Sequence, residues 1–213
     1  MSQALLDQIG QSLMAGQAAK VKELVQQAVN EKVPVGDVLS KGLINAMSVI
    51  GAKFKKNEVY IPEVLIAARA MKSGMEILKP LLAKAGVKST GKFMIGTTKG
   101  DLHDIGKNLV AMMMEGAGYE VIDLGIDVPP EKFVEAIKEK QPDVVGISAL
   151  LTTTMPAMKT TIDAIAAAGL KNKVKIIIGG APITQNYADE IKADGYAADA
   201  ASAVDIAKKL LGK

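Results

Sequence analysis

The hydrophobic period of this chain changes near residue 90, and no other feature constrains its fold as tightly. Up to about Lys84 the apolar residues recur at three- and four-residue spacing, the period of helices with one buried stripe. Beyond the polar, glycine-bearing stretch 85–91 they gather into short continuous runs at 92–97, 119–123, 143–148 and 174–179. Helical patterns at 104–117, 130–140 and 155–168 separate these runs. Strands that are apolar throughout bury both faces, and their alternation with helices predicts a doubly wound parallel sheet. A weak edge strand at 195–198 and a helix near 201–211 complete the second half.

The first half reads as a four-helix bundle. Leu5, Leu6, Ile9 and Leu13 mark a first helix that stops near Gly16, and Val21, Leu24, Val25 and Ala28 mark a second. Pro34 suits the first turn of a third, whose apolar face runs Val35, Val38, Leu39, Ala46, Met47, Ile50 and Phe54. Pro62 opens a fourth, with Ile61, Val64, Leu65, Ala68, Met71, Met75, Leu78 and Leu82 on one side and Pro80 expected to bend or end it early. The expected organisation is a helical domain at 1–88 and an α/β domain at 89–213, with the linker at 85–91.

Composition narrows the function classes. The net charge of +3 comes from lysines scattered among balancing carboxylates, with no basic block flanked by stacking aromatics, so no nucleic-acid surface is expected. There is no cysteine, which removes disulfides and thiolate metal sites and suits a cytoplasmic location. No apolar run reaches the roughly 18 residues of a membrane span, and the start Met1-Ser2-Gln3-Ala4 lacks the pattern of a signal peptide.

His103 is the only histidine. It lies at a strand-to-helix turn, in Asp101-Leu102-His103-Asp104-Ile105-Gly106, two residues after a carboxylate. In that arrangement one ring nitrogen is available to a metal while Asp101 accepts a hydrogen bond from the other, which fixes the tautomer and raises the ligand's basicity. Ligand crevices of doubly wound sheets lie beyond the carboxyl ends of the strands. Besides His103, the sequence puts Ser148 and Gly179-Gly180 at such ends.

The pattern Asp101-x-His103-x-x-Gly106, then 41 residues, then Ser148-x-Leu150, then 28 residues, then Gly179-Gly180 resembles the motif of base-off/His-on cobalamin-binding domains. The stretch from Gly51 to Glu63, with the Ala- and Met-rich helix after it, is similar to the helical cap of the small corrinoid carrier proteins of anaerobic three-component methyltransferase systems. Gly96-Thr97-Thr98-Lys99-Gly100-Asp101, the run from Ser148 to Met155, and Gly180-Ala181-Pro182-Ile183-Thr184 are also similar to that family. The likeness extends over essentially the full chain.

The resemblance implies a cobalamin or related corrinoid whose cobalt is held by His103, with Asp101 behind the imidazole and Ser148 as third member of a relay. It implies that Gly179 and Gly180 leave a slot for the displaced nucleotide tail, that Gly106 admits the corrin or its tail, and that Leu150, Thr152 and Thr153 line the cofactor. Met71 and Met75 are read either as core packing or as a cap over the methyl face, and Asp127 as a turn or cap residue. The implied function is carriage of a methyl group on cobalt from a substrate-specific corrinoid methyltransferase to a second methyltransferase that acts on tetrahydrofolate or a thiol. A reductive activase would restore the cofactor after oxidation. No turnover is expected of the chain alone, and the linker would act as a hinge. A cobalamin-sensing regulator or a mutase companion is the alternative reading.

Overall fold

The computed structural model describes residues 2–213; Met1, the first residue of the start read above, lies outside them. The chain divides into two compact units. One holds residues up to Thr90 together with Gly116–Gly118, and the other holds Gly91–Glu115 and Tyr119–Lys213. Among the described residues, no helix is long and apolar enough to cross a membrane.

The first unit is helical. Helix α1 (Ser2–Met14) buries Leu5, Leu6, Ile9 and Leu13, and α2 (Ala18–Asn30) buries Val21, Leu24, Val25 and Ala28. Between them Gly16 takes a φ of +70°, and the Gly16 and Gln17 N–H groups satisfy the last carbonyls of α1. The expected third helix is present but not uniform. A short α3 (Val35–Asp37) leads into a π-helical segment, Val38–Ile44, and then into α4 (Asn45–Lys55). Gly42 lies in the widened segment, where an added Cβ would come within 3.3 Å of Ile9, so its smallness sets how closely α1 approaches.

Helix α5 (Ile61–Lys84) opens with a capping box in which the Glu63 carboxylate accepts the Tyr60 N–H at 3.0 Å. It runs through Pro80 without ending there. Pro80 is exposed and lies in the second-last turn, so its missing N–H removes one hydrogen bond near the end of the helix. The buried stripe of α5 is Val64, Ala67, Ala70, Met71, Gly74, Leu78 and Leu82. Ile61 and Leu65, expected on that side, are exposed instead.

The second unit is a five-stranded, wholly parallel sheet in the order β2-β1-β3-β4-β5. Its strands are β1 (Gly91–Thr97), β2 (Tyr119–Asp123), β3 (Val144–Ser148), β4 (Lys175–Gly179) and β5 (Gly195–Ala197). Connecting helices are α6 (Ile105–Gly116), α7 (Pro130–Lys140), α8 (Met155–Ala167) and α9 (Gln185–Glu190), with α10 (Ala200–Leu210) last. Only α9 escapes the sequence pattern, because six residues are too few to show a period. One core joins Met94, Val145, Ile147, Ile176 and Ile178 of the strands to Phe133, Met158, Ile162 and Ile165 of α7 and α8. The winding reverses between β1 and β3, and register aligns their ends: Thr97 is opposite Ser148, and Ser148 opposite Gly179. A crevice is therefore expected where the loops after β1 and β3 diverge.

Candidate functional site

Those two loops meet at Asp101. Its side chain is fully buried, and every hydrogen bond it makes is to a donor from one of the two loops. Oδ1 accepts the His103 N–H at 3.0 Å and lies 2.8 Å from His103 Nδ1. Oδ2 accepts the Leu150 N–H at 2.7 Å, the Leu151 N–H at 3.3 Å and the Thr154 hydroxyl at 2.7 Å. Burial by itself would raise the Asp101 pKa. The Thr154 hydroxyl, the Leu150 and His103 amides and the His103 ring outweigh it, and hold the carboxyl well below the usual carboxylate range. A carboxylate that stays ionised accepts only, so Nδ1 of His103 carries a proton toward Asp101 and Nε2 is the ring nitrogen left for another partner.

The His103 loop is fastened on other sides too. The buried Thr97 hydroxyl donates to the His103 carbonyl at 3.0 Å. Asp127, with a φ of +51°, accepts the Gly100 N–H at 2.7 Å on its carboxylate and donates its own N–H to the Asp101 carbonyl at 3.0 Å. The turn role read for Asp127 thus includes a clasp on the loop that carries the histidine. The imidazole itself is 49% exposed.

Several exposed side chains of these loops are aliphatic. Among the described residues of the second unit, the exposed large aliphatic side chains are Leu102, Ile105, Ile126, Leu150 and Leu151. Leu102 and Ile105 flank His103, Leu150 and Leu151 donate to Asp101, and Ile126 precedes the Asp127 clasp. At Gly106 an added Cβ would meet nothing within 4 Å, so the space beside it is open.

Two sequence expectations change here. The hydroxyl that reaches Asp101 is that of Thr154, not of Ser148, whose carbonyl instead accepts the Thr98 N–H. Thr154 stands at the N-cap of α8 without capping it, and its hydroxyl is shared between Asp101 and the Leu151 carbonyl at 2.9 Å. At Gly180, where φ is +137°, an added Cβ would fall 1.8 Å from the Ala149 carbonyl oxygen. The missing side chain there is required by the chain's own backbone. At Gly179 the nearest atom, the Ala197 carbonyl oxygen, would lie at 3.0 Å. Thr152 and Thr153 are exposed on the same loop, Met71 is buried in its unit, and Met75 is half-buried.

The donor set suits a metal that arrives with most of its ligands. Among the described residues no three His, Cys, Asp or Glu side chains lie together as a cage for a free ion. A single imidazole among exposed aliphatic side chains would suit a metal whose other ligands come with a macrocycle.

Residues 91–205 match a family model described as B12 binding domain, and residues 5–79 match a second model of the same description. A corrinoid protein of Desulfitobacterium hafniense is 44% identical over the full length of both chains. Dimethylamine corrinoid protein 3 of Methanosarcina acetivorans is 41% identical over 98% of each. Among solved structures, the methanol:cobalamin methyltransferase complex of Methanosarcina barkeri superposes with a TM-score of 0.87 at 30% identity, covering 99% of this chain and 81% of that one.

Proposed function

The chain belongs to the B12-binding corrinoid proteins, and from that premise we propose that it is a methyl carrier whose cofactor is held through His103. When bound, the cofactor's cobalt supplies the chemistry, accepting a methyl group from one methyltransferase and yielding it to another. The residues of this chain hold and orient. His103 would offer Nε2 as the lower ligand, while Asp101 holds the Nδ1 proton and stays ionised. Thr154 and the Leu150 and Leu151 amides keep that carboxylate in place, so the imidazole does not turn. Gly106 leaves room, and Leu102, Ile105, Leu150 and Leu151 would help to exclude water from the bound cofactor. Ser148, Thr152, Thr153 and Gly179 would meet the cofactor's polar periphery and tail.

The observation that carries the reading is the buried Asp101 fixing the chain's one imidazole among exposed aliphatic side chains. We propose as partners a donor-specific corrinoid methyltransferase, a second methyltransferase acting on tetrahydrofolate or a thiol, and a reductive activase, with turnover only in their company. The names of relatives at 41% identity support beginning the donor search with methylated amines.

The ligand is tested by EPR of the full chain loaded with cobalamin and held as Co(II). Nitrogen splitting should change from triplet to doublet on labelling histidine with ¹⁵N, and His103→Ala should lose it. Retention of the splitting in His103→Ala would reject His103 as the ligand. Carriage is tested by incubating the reduced, loaded protein with isotopically labelled donor and its methyltransferase. Label should be retained by the protein only when that enzyme is present; label that never reaches the protein rejects the carrier role.

A further inference from the structure

We propose that Lys107 is a positioning residue for His103, acting through a closed ring of contacts that grips the histidine loop from both ends. The proposal rests on His103 being the lower ligand. Among the described residues two charged side chains are buried, Asp101 and Lys107. The first is part of the site, and the second has no role in it so far.

Lys107 stands in the first turn of α6, four residues beyond His103. Its ammonium donates to Asp123 Oδ2 at 2.5 Å, at the end of β2, and to Asn108 Oδ1 at 2.7 Å. Asn108 passes the contact back toward the histidine. Its amide Nδ2 donates to Asp104 Oδ2 at 3.0 Å, and its backbone N–H to the Asp104 carbonyl at 2.7 Å. Asp104 is the residue after His103. From Asp123 the contacts run the other way: Oδ1 accepts the Gly125 N–H at 2.9 Å, and two residues later Asp127 clasps Gly100 and Asp101. Hydrogen bonds, together with the chain itself from Gly125 to Asp127 and from His103 to Asp104, thus close a path through Asp123, Asp127, Asp101, His103, Asp104, Asn108 and Lys107, and Lys107 is its one lysine.

Stability alone gives no reason for a lysine here. Burying an ammonium is costly even when it is paired, and the partner carboxylate here, Asp123, is itself 43% exposed, where water can solvate it without the lysine. The same helix buries Leu109, Met113 and Met114 for its packing. What the ion pair supplies and an apolar side chain does not is direction: it sets the first turn of α6 against the end of β2. A half-exposed imidazole is not caged by its neighbours, so its position depends on how rigidly both ends of its loop are held. Asp101 holds one end, and Lys107 holds the other.

The test uses the full chain loaded with cobalamin. Lys107→Met is close in shape and carries no charge. Its melting temperature should stay within a few degrees of the parent, while its Kd for cobalamin, read by absorbance titration, rises about tenfold. The fraction of its Co(II) EPR signal that shows nitrogen splitting should fall well below the parent's. Asn108→Ala cuts the ring at a half-buried position and leaves the Lys107–Asp123 pair, so it should move both readouts the same way by a smaller factor. Parental affinity and splitting in Lys107→Met overturn the proposal. If that variant does not fold, parental values in Asn108→Ala overturn it. A parent with no nitrogen splitting at all overturns the ligand reading first, and the proposal with it.

Discussion

Asp101 makes a pH-dependent contribution to stability whose sign follows from its surroundings. Its folded-state pKa is depressed below the ordinary carboxylate value near 4, so the unfolded chain binds more protons than the native one in acid. The contribution is complete above about pH 4 and drains away as pH falls toward the folded value. Asp101→Asn should therefore cost about 2–4 kcal/mol at pH 7, since a buried amide cannot satisfy the same donors. The gap between parent and variant should narrow below pH 4. Urea unfolding at pH 7, 4 and 3 measures it, and a gap that widens in acid contradicts the assignment. Thr154→Val should lose about 1–3 kcal/mol, and Thr154→Ser should recover most of that, because the hydroxyl is what Asp101 needs. At this scale the sequence disclosed the Asp101–His103 pair, because a spacing of two within a turn lets carboxylate and imidazole meet. Thr154 was not legible. It lies 53 residues from Asp101, and the two come together only because β3 pairs beside β1.

At the scale of elements, two glycines that look alike in sequence have opposite reasons to be glycine. Gly180 has a left-handed φ and no space for a Cβ, whereas Gly106 opens α6 with open space beside it. Gly180→Ala should destabilise the protein by about 3–5 kcal/mol, through a clash with rigid backbone together with an unfavourable φ. Gly106→Ala should leave stability unchanged or raise it by up to about 1 kcal/mol, since alanine is the better helix former. Its effect should appear in cobalamin affinity instead. Thermal melts of both variants beside absorbance titrations separate the two cases; an unstable Gly106→Ala with normal affinity would reverse the assignment. Strands and long helices were readable because their period is long enough to see. The π-helical stretch at 38–44 was not, for its apolar spacing differs little from that of an α-helix. Nor was the exposure of Ile61 and Leu65, which are apolar at positions where the spacing alone puts them next to the buried stripe.

For the whole molecule, alternation of strand and helix was enough to read a parallel sheet, but not to order it. Strand order sets the switch point between β1 and β3, and that order brings together loops that are 50 residues apart in sequence. The consequence is that all the residues proposed to hold the cofactor, from Asp101 to Gly179, belong to the second unit, which has its own core from Met94 to Ile191. We propose a functional boundary near residue 88, and a fragment of residues 89–213 tests it. It keeps the five strands, the complete hydrogen-bond set of Asp101 and the Lys107 ring. It should therefore fold, bind one cobalamin and show the nitrogen splitting of the full chain. Gly116–Gly118, which group with the helical unit, remain in the fragment as the turn between α6 and β2, so any loss of order should be local to that turn. Circular dichroism reports the fold, and absorbance after loading reports the cofactor. A folded fragment with no corrinoid absorbance would mean that the helical half supplies essential contacts, and the boundary would have to be abandoned.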